Sequence, residues 1–405
     1  MTAAVITGLG IASPNGLGLR EYWAAVLRGH NGIRPISRFD ASGYPARLAG
    51  EITGFTAREH LPARLLPQTD RTTRMTLAAA DWALRDAGLD PAAMDSSDIG
   101  VATAASSGGF EFGQRELRNL WSSGPEHVSA YQSFAWFYAV NSGQLSIRHG
   151  TRGPSGVLVG EQAGGLDAMA LARRNIRKGT VAVISGAVDS ALCPWGWVAH
   201  LTGGRLSTAD DPRRAYLPFD PRAHGHVPGE GGAVLIVEAR ESADTRGAHG
   251  YGELAGYGAT MDPAPGTGRP PGLRRAVELA LEDASVLPED VDVVFADAAG
   301  TPELDAVEAE ALNAVFGPGR VPVTAPKTLT GRLSSGAGPL DLATACLAMR
   351  DSVVPHTAHV RPRQEYELDL VVGEPRPGQV RTALVVARGH GGFNSALVVT
   401  ALTDR

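Results

Sequence analysis

Cysteine is almost absent from this chain, with Cys193 and Cys346 the only two in 405 residues. Two thiols cannot build a disulfide framework, so the chain is expected to work in a reducing cytoplasm and to rely on core packing. Lysine is nearly missing too: Lys178 and Lys327 stand alone among 37 basic residues. Arginine takes its place throughout, a compositional bias without functional weight. Basic charge is not in excess, since the formal net charge is −6 and the pI near 6.0, which argues against a nucleic-acid partner. No apolar run approaches the ~20 residues of a bilayer span. Met1–Gly8 lacks a basic stretch leading into a long apolar one, so no signal peptide is expected. Low-complexity tails and long charged runs are missing. So are a G-x-S-x-G elbow, a Walker loop, a C-x-x-C pair and an H-E-x-x-H helix.

What is present is ordinary in amount and regular in order. Hydrophobic residues make up 43% and charged residues 20%, enough for a large buried core. Short β-rich runs alternate with longer helical patterns, the signature of a layered α/β fold with buried strands. Strands are predicted at 4–7, 99–103, 157–159, 181–185, 233–238, 291–295, 383–387 and 396–400. Helices are predicted at 72–87, 134–148, 166–177, 273–284, 303–315 and 339–350. The Pro- and Gly-rich stretch Gly258–Gly272 reads as a linker, and the chain divides into halves at 1–250 and 251–405. An internal repeat supports this: Gly229–Val237 matches Gly389–Val399, and Leu166–Ala172 matches Leu340–Ala348. Two matches in similar register point to a duplicated βαβ core.

Most candidate sites reduce to packing. Gly8-Leu-Gly10 has no third glycine of a dinucleotide fingerprint and reads as a glycine turn that packs strand on helix. His224 and His226, and His356 and His359, have no obvious third metal ligand. Cys346 lies in an apolar helix, and Cys193 sits among aromatics without a base to activate it.

One stretch is different. Gly153–Ala170 reads as a short buried strand, a sharp turn and a helix opening on small residues, a geometry that presents a side chain at a helix N-terminus. The residue presented is Gln162. An amide cannot ionise to a thiolate or alkoxide, so it cannot carry an acyl group. The chain has the form of an enzyme whose covalent step is missing.

The order of motifs resembles the β-ketoacyl synthases of the thiolase superfamily, most closely the chain length factor (ketosynthase β) subunit of bacterial type II polyketide synthases. Ile6–Gly10, Gln162–Asp167, Pro218–Pro221, Pro228–Ala233, Ala325–Lys327 and Gly389–Asn394 carry the resemblance and span nearly the whole chain. It implies an α/β thiolase fold with duplicated βαβ halves in five layers (αβαβα). It places the family's nucleophilic cysteine at Gln162, its first catalytic histidine at Asp297 and its second at Arg332, while Lys327 and Glu308 match the family pattern. All three substitutions make autonomous condensation implausible, because enolate stabilisation needs neutral donors where Asp297 brings negative charge. Two readings of Asp297 and Arg332 stand side by side: a buried ion pair that fills the vacated pocket, or free drift of both residues once catalysis was lost.

The resemblance further implies a heterodimer with a catalytic ketosynthase α subunit, and a polyketide tunnel at the interface. Phe110, Gly113 and Leu117 share one face if Gly108–Leu117 is helical, and with Phe134 and Trp195 they match tunnel positions of the family. Packed side chains act as a ruler for the growing chain, and the small residues on this face suggest a product of about ten ketide units. The acyl carrier protein, with its phosphopantetheine arm, is the expected substrate carrier; no metal or resident cofactor is implied, and neither nucleic acid nor membrane is an expected partner. Two alternatives are a malonyl-carrier decarboxylase acting through Gln162 and a free-standing ketosynthase with a nucleophile at Cys193 or Cys346.

Overall fold

The computed structural model describes residues 2–264 and 266–402. Eleven strands build the main sheet: β1 (Ala4–Ser13), β2 (Ile99–Ala104), β3 (Ser155–Leu158), β4 (Ala182–Asp189), β5 (Gly231–Ala239), β6 (Gly252–Met261), β7 (Val293–Phe295), β8 (Pro322–Thr324), β9 (Asp369–Leu370), β10 (Thr382–Gly389) and β11 (Phe393–Thr400). Their order across the sheet is β9-β8-β7-β10-β11-β6-β1-β5-β4-β2-β3, with the two-residue return Gly16–Leu17 pairing to β1. Apart from the extra outer strand β9, the order is symmetric about the β6–β1 junction, where Val5 pairs with Glu253 and Ile6 with Gly252. On each side the two strands nearest the centre join antiparallel, and the outer ones run parallel.

Eight helices cover these strands: α1 (Arg71–Ala87), α2 (Phe110–Ser123), α3 (Val140–His149), α4 (Glu161–Arg177), α5 (Pro194–Thr202), α6 (Leu273–Ala284), α7 (Pro302–Phe316) and α8 (Ala337–Asp351). α4 packs on β2 and β4 with one side and on β10 and β11 with the other; α8 likewise touches β5 and β10. These two are therefore the middle layer. α1 lies outside β1 and β5, and α6 outside β6 and β11, which completes the five layers of a thiolase fold. The middle pair is buried on nearly every side, so α8 from Ala337 to Met349 is buried without a polar stripe, as a helix between two sheets must be. Leu166, Met169, Leu340 and Cys346 sit in this central core with Ile6, Leu235, Val385 and Leu397.

The repeat falls on equivalent elements. Gly229–Val237 runs into β5 and Gly389–Val399 into β11, each one strand out from the central junction. Leu166 and Leu340 lie on α4 and α8, the two central helices.

Three sequence expectations change. Gly8 and Gly10 are inside β1 rather than in a turn after it. A Cβ at Gly10 would lie 1.8 Å from the Ala79 carbonyl oxygen, so these glycines let α1 lie against the strand. The supposed linker from Gly258 begins inside β6, where a Cβ at Gly258 would come within 2.1 Å of the Ala276 carbonyl oxygen on α6. Close helix approach explains Gly258, while Gly266 and Gly268 take up left-handed φ of +81° and +67°. The helix expected over 134–148 is broken into Gln132–Ala135 and α3. Between them, the Trp136 carbonyl accepts the Gly109 N–H at 3.0 Å instead of serving a continuous helix.

Candidate functional site

β3 delivers the chain to a sharp turn, and α4 begins at Glu161 with φ of +50°. A non-glycine residue in the left-handed region is strained, and strain of this kind is held only where surrounding contacts enforce it. Here the Glu161 carboxylate accepts the His390 N–H at 3.0 Å, and its carbonyl accepts the Ser335 hydroxyl at 3.1 Å. The elbow presents Gln162, which is fully buried.

Gln162 does not face an open nucleophile's cleft. Its Nε2 donates to Asp297 Oδ1 at 2.9 Å. Arg332 grips the same carboxylate twice, Nη2 to Oδ1 at 3.0 Å and Nη1 to Oδ2 at 3.2 Å. The Arg388 N–H adds a further bond to Oδ1 at 2.9 Å. Gln162 and Arg332, at two of the positions the resemblance marks as catalytic, thus both bond Asp297 at the third, and of the two readings of the charged residues the Asp297–Arg332 ion pair is the one present. Gln162 Oε1 has no hydrogen-bond partner among the described residues. Reversing the amide would set that oxygen against the Asp297 carboxylate, so the orientation follows from charge.

Glu308 and Lys327 brace the loop that carries Asp297. Glu308 on α7 accepts the Asp297 and Ala298 N–H groups at 2.7 and 2.8 Å. Lys327 Nζ donates to the Ala296 carbonyl at 2.6 Å and lies 2.7 Å from Asp341. Burial works to push the Asp297 carboxyl up, but Arg332, with Lys327 and Arg388 behind it, holds it below the usual carboxylate range. Burial, reinforced by the neighbouring Asp297 charge, pushes Glu308 up to about 7.

A cavity of about 520 Å³ opens beside this cluster. Asp297, Arg332, Arg388, His200, His226 and Phe110 are among its walls, whereas Gln162 is not. Burial holds His200 down at about 4, so the ring is neutral at neutral pH. The two thiols lie elsewhere: both are buried, and burial pushes Cys346 up to about 12 and Cys193 in the same direction. Neither is poised as a nucleophile. His224 bonds Ser207 at 2.9 Å, and no cluster of three or more metal-ligating side chains occurs among the described residues.

The second group of predicted residues meets at α2 and α5. Phe110 and Trp195 stack at 4.7 Å between ring centroids and 7° between planes. A Cβ at Gly113 would sit 3.2 Å from Trp195 Cζ3, so Gly113 makes room for that ring. Leu117 is exposed one turn further along, and Phe134 is half-buried against Tyr131. The stacked rings and Gly113 are therefore together, and the short helix Gln132–Ala135 that carries Phe134 packs against α2. Sequence reasoning missed Glu161, Arg388 and His200, and reduced His226 to packing. Glu161, Arg388 and His226 stood beside motifs it had marked, Gln162, Gly389 and Pro228, whereas nothing nearby pointed to His200.

The β-ketoacyl synthase N-terminal domain model matches residues 1–243, and the C-terminal domain model matches 251–361. The chain belongs to the β-ketoacyl synthase family. Over 398 residues it is 62% identical to the tetracenomycin polyketide synthase ketoacyl synthase beta subunit of Streptomyces glaucescens, covering 98% of this chain and 97% of that one. The ishigamide ketosynthase/chain length factor structure is 26% identical, with a TM-score of 0.90 over 99% of this chain and 100% of that one. Similar in fold is a type II polyketide synthase acyl carrier protein in complex with its ketosynthase bound to the hexaketide (TM-score 0.88, 26% identity, 99% and 100% coverage). Within the family, this chain is a ketosynthase β type. No helix among the described residues is long and apolar enough to cross a membrane.

Proposed function

We propose that this chain is the non-condensing chain length factor of a type II polyketide synthase, paired with a catalytic ketosynthase α subunit that performs transacylation, decarboxylation and condensation. One observation carries the reading: the nucleophile and both histidine positions are a glutamine, an aspartate and an arginine bonded to one another. No thiolate can form at Gln162, and Asp297, held ionised by Arg332, would oppose an enolate rather than stabilise it. What remains functional is surface and shape. Trp121 and Ile147 are 83% and 77% exposed, and Trp136, Phe137, Tyr138, Trp195 and Leu117 are exposed as well. An apolar surface of this kind fits a stable subunit interface. Phe110, Gly113, Leu117, Phe134 and Trp195 border or adjoin it and are the proposed tunnel positions, for a product of about ten ketide units. The acyl carrier protein delivers thioesters on its phosphopantetheine arm, and the halves 1–250 and 251–405 fold as one five-layered unit.

The decarboxylase alternative finds less support. The Gln162 amide nitrogen is bonded to Asp297, and the residue is fully buried away from the cavity wall. The deciding experiment expresses the chain alone and with its ketosynthase, supplies malonyl-loaded carrier protein, and reads products and bound acyl groups by mass spectrometry. Activity only in the pair, with acyl groups only on the partner, is expected. Condensation or an acyl adduct on this chain alone would overturn the proposal.

A further inference from the structure

α5 starts with a shortage of hydrogen-bond partners. Cys193 at its N-cap makes no side-chain cap bond, and Pro194 at the first helical position has no N–H to satisfy. The first N–H in need of a partner belongs to Trp195. Its acceptor comes from another helix: Gln114 Oε1 on α2, at 2.6 Å. The bond joins the residue after Gly113 to the residue whose ring stacks on Phe110. Backbone and ring of Trp195 are thus held by the same turn of α2.

α2 is itself held at its start. Asp70, buried, accepts the Thr72 N–H at 2.8 Å with Oδ1, capping α1, and the Phe112 N–H at 2.7 Å with Oδ2. One carboxylate therefore fixes the beginning of α2 against α1. Arg38 adds a second tie, to Glu111 at 2.5 Å. The first turn of α2 is anchored by ionic groups, and its next turn hands that position on to α5 through Gln114.

We infer that Gln114 is a positioning residue for product length: by capping α5 in trans it sets where the Trp195 indole stands against Phe110 and Gly113. The inference rests on the chain-length reading above and adds a residue that does not itself line the proposed tunnel. A tunnel wall acts as a ruler only if its side chains stay in one place. An indole on a frayed helix start samples several positions and ends chains at several lengths. The Gln114 bond removes that freedom without contributing volume.

The test uses the assembled complex with malonyl-loaded carrier protein and reads the distribution of ketide lengths. Gln114→Leu keeps the size and removes the acceptor; Gln114→Glu keeps an acceptor oxygen within reach. Gln114→Asn, one methylene shorter, serves if the leucine variant does not assemble. The expected result is a broadened distribution for Gln114→Leu or Gln114→Asn, and a single dominant length restored in Gln114→Glu. A merely structural role would lower the melting temperature of Gln114→Leu and Gln114→Asn without broadening product length. Gly113→Thr with Leu117→Phe is run in parallel. If that pair shortens the product while Gln114→Leu leaves one sharp length, the positioning role is overturned and the chain-length reading stands. If neither changes length, the ruler assignment of these positions fails, and the positioning role of Gln114 with it.

Discussion

At residue scale, the site shows how charge is held inside a core. A buried charge is tolerable only when paired and hydrogen-bonded. Asp297 meets this condition through Arg332, Gln162 and the Arg388 N–H. Truncating one partner strands the other, so Arg332→Ala should destabilise the fold by about 3–5 kcal/mol in urea unfolding, whereas Arg332→Met with Asp297→Leu should cost far less. Equal losses in the single and double variants would show that the pair is not coupled. Restoring the nucleophile alone should fail: with Asp297 in place, the thiol of Gln162→Cys stays largely protonated at pH 7. A thioester or alkylating probe should leave it unlabelled; rapid labelling would contradict the electrostatics. His200 gives the pH signature. Its folded pKa of about 4 lies below the ordinary imidazole value, so the folded state binds fewer protons between the two. Stability is full above the ordinary value and falls as pH drops, by about 1 kcal/mol near pH 5.5. Urea midpoints of His200→Asn should fall less over that range, and curves parallel to the parent would refute this.

At element scale, helices were legible both where one face is apolar and where the whole run is, as in α8, and boundaries failed where a neighbouring backbone intervened. The α6 pattern Leu273, Ala276, Val277, Ala280 and Leu281 matches its buried positions one for one. The expected helix over 134–148 failed because the Gly109 N–H claims a carbonyl from Trp136, an interaction between distant segments that no local pattern encodes. Glycine in β1 and β6 misled for the same reason, since its cause is the helix lying across the strand. Gly113 belongs to this class, because its missing Cβ is room for Trp195. Gly113→Thr with Leu117→Phe therefore should push the indole and shorten the product by one or more two-carbon units, read by mass spectrometry of extracted polyketides. An unchanged length would remove these positions from the ruler.

At the scale of the whole molecule, the open edges matter most. β3 ends the sheet, and Ile147, Trp121 and Val159 stand exposed. Exposed aromatic and aliphatic side chains at this density are costly in a lone chain and favourable in a subunit interface. Trp121→Asp with Ile147→Asp should weaken pairing with the ketosynthase subunit at least about tenfold by size-exclusion or calorimetric titration. The melting temperature of the isolated chain should stay nearly unchanged. Undiminished pairing would place the interface elsewhere.

Composition, strand and helix alternation, the duplicated motifs and the glutamine at position 162 were all readable in the sequence, because each depends on residue type and local period. They determined the layered fold, the lost covalent chemistry and the family resemblance. Only the tertiary structure decided that Gln162, Asp297 and Arg332 bond to one another across 135 and 35 residues of chain. It alone placed Trp195 against Phe110 and gave its N–H to Gln114. The division has one physical reason: propensity and patterning act between near neighbours in sequence, whereas a buried charge finds its partner only after the layers have closed.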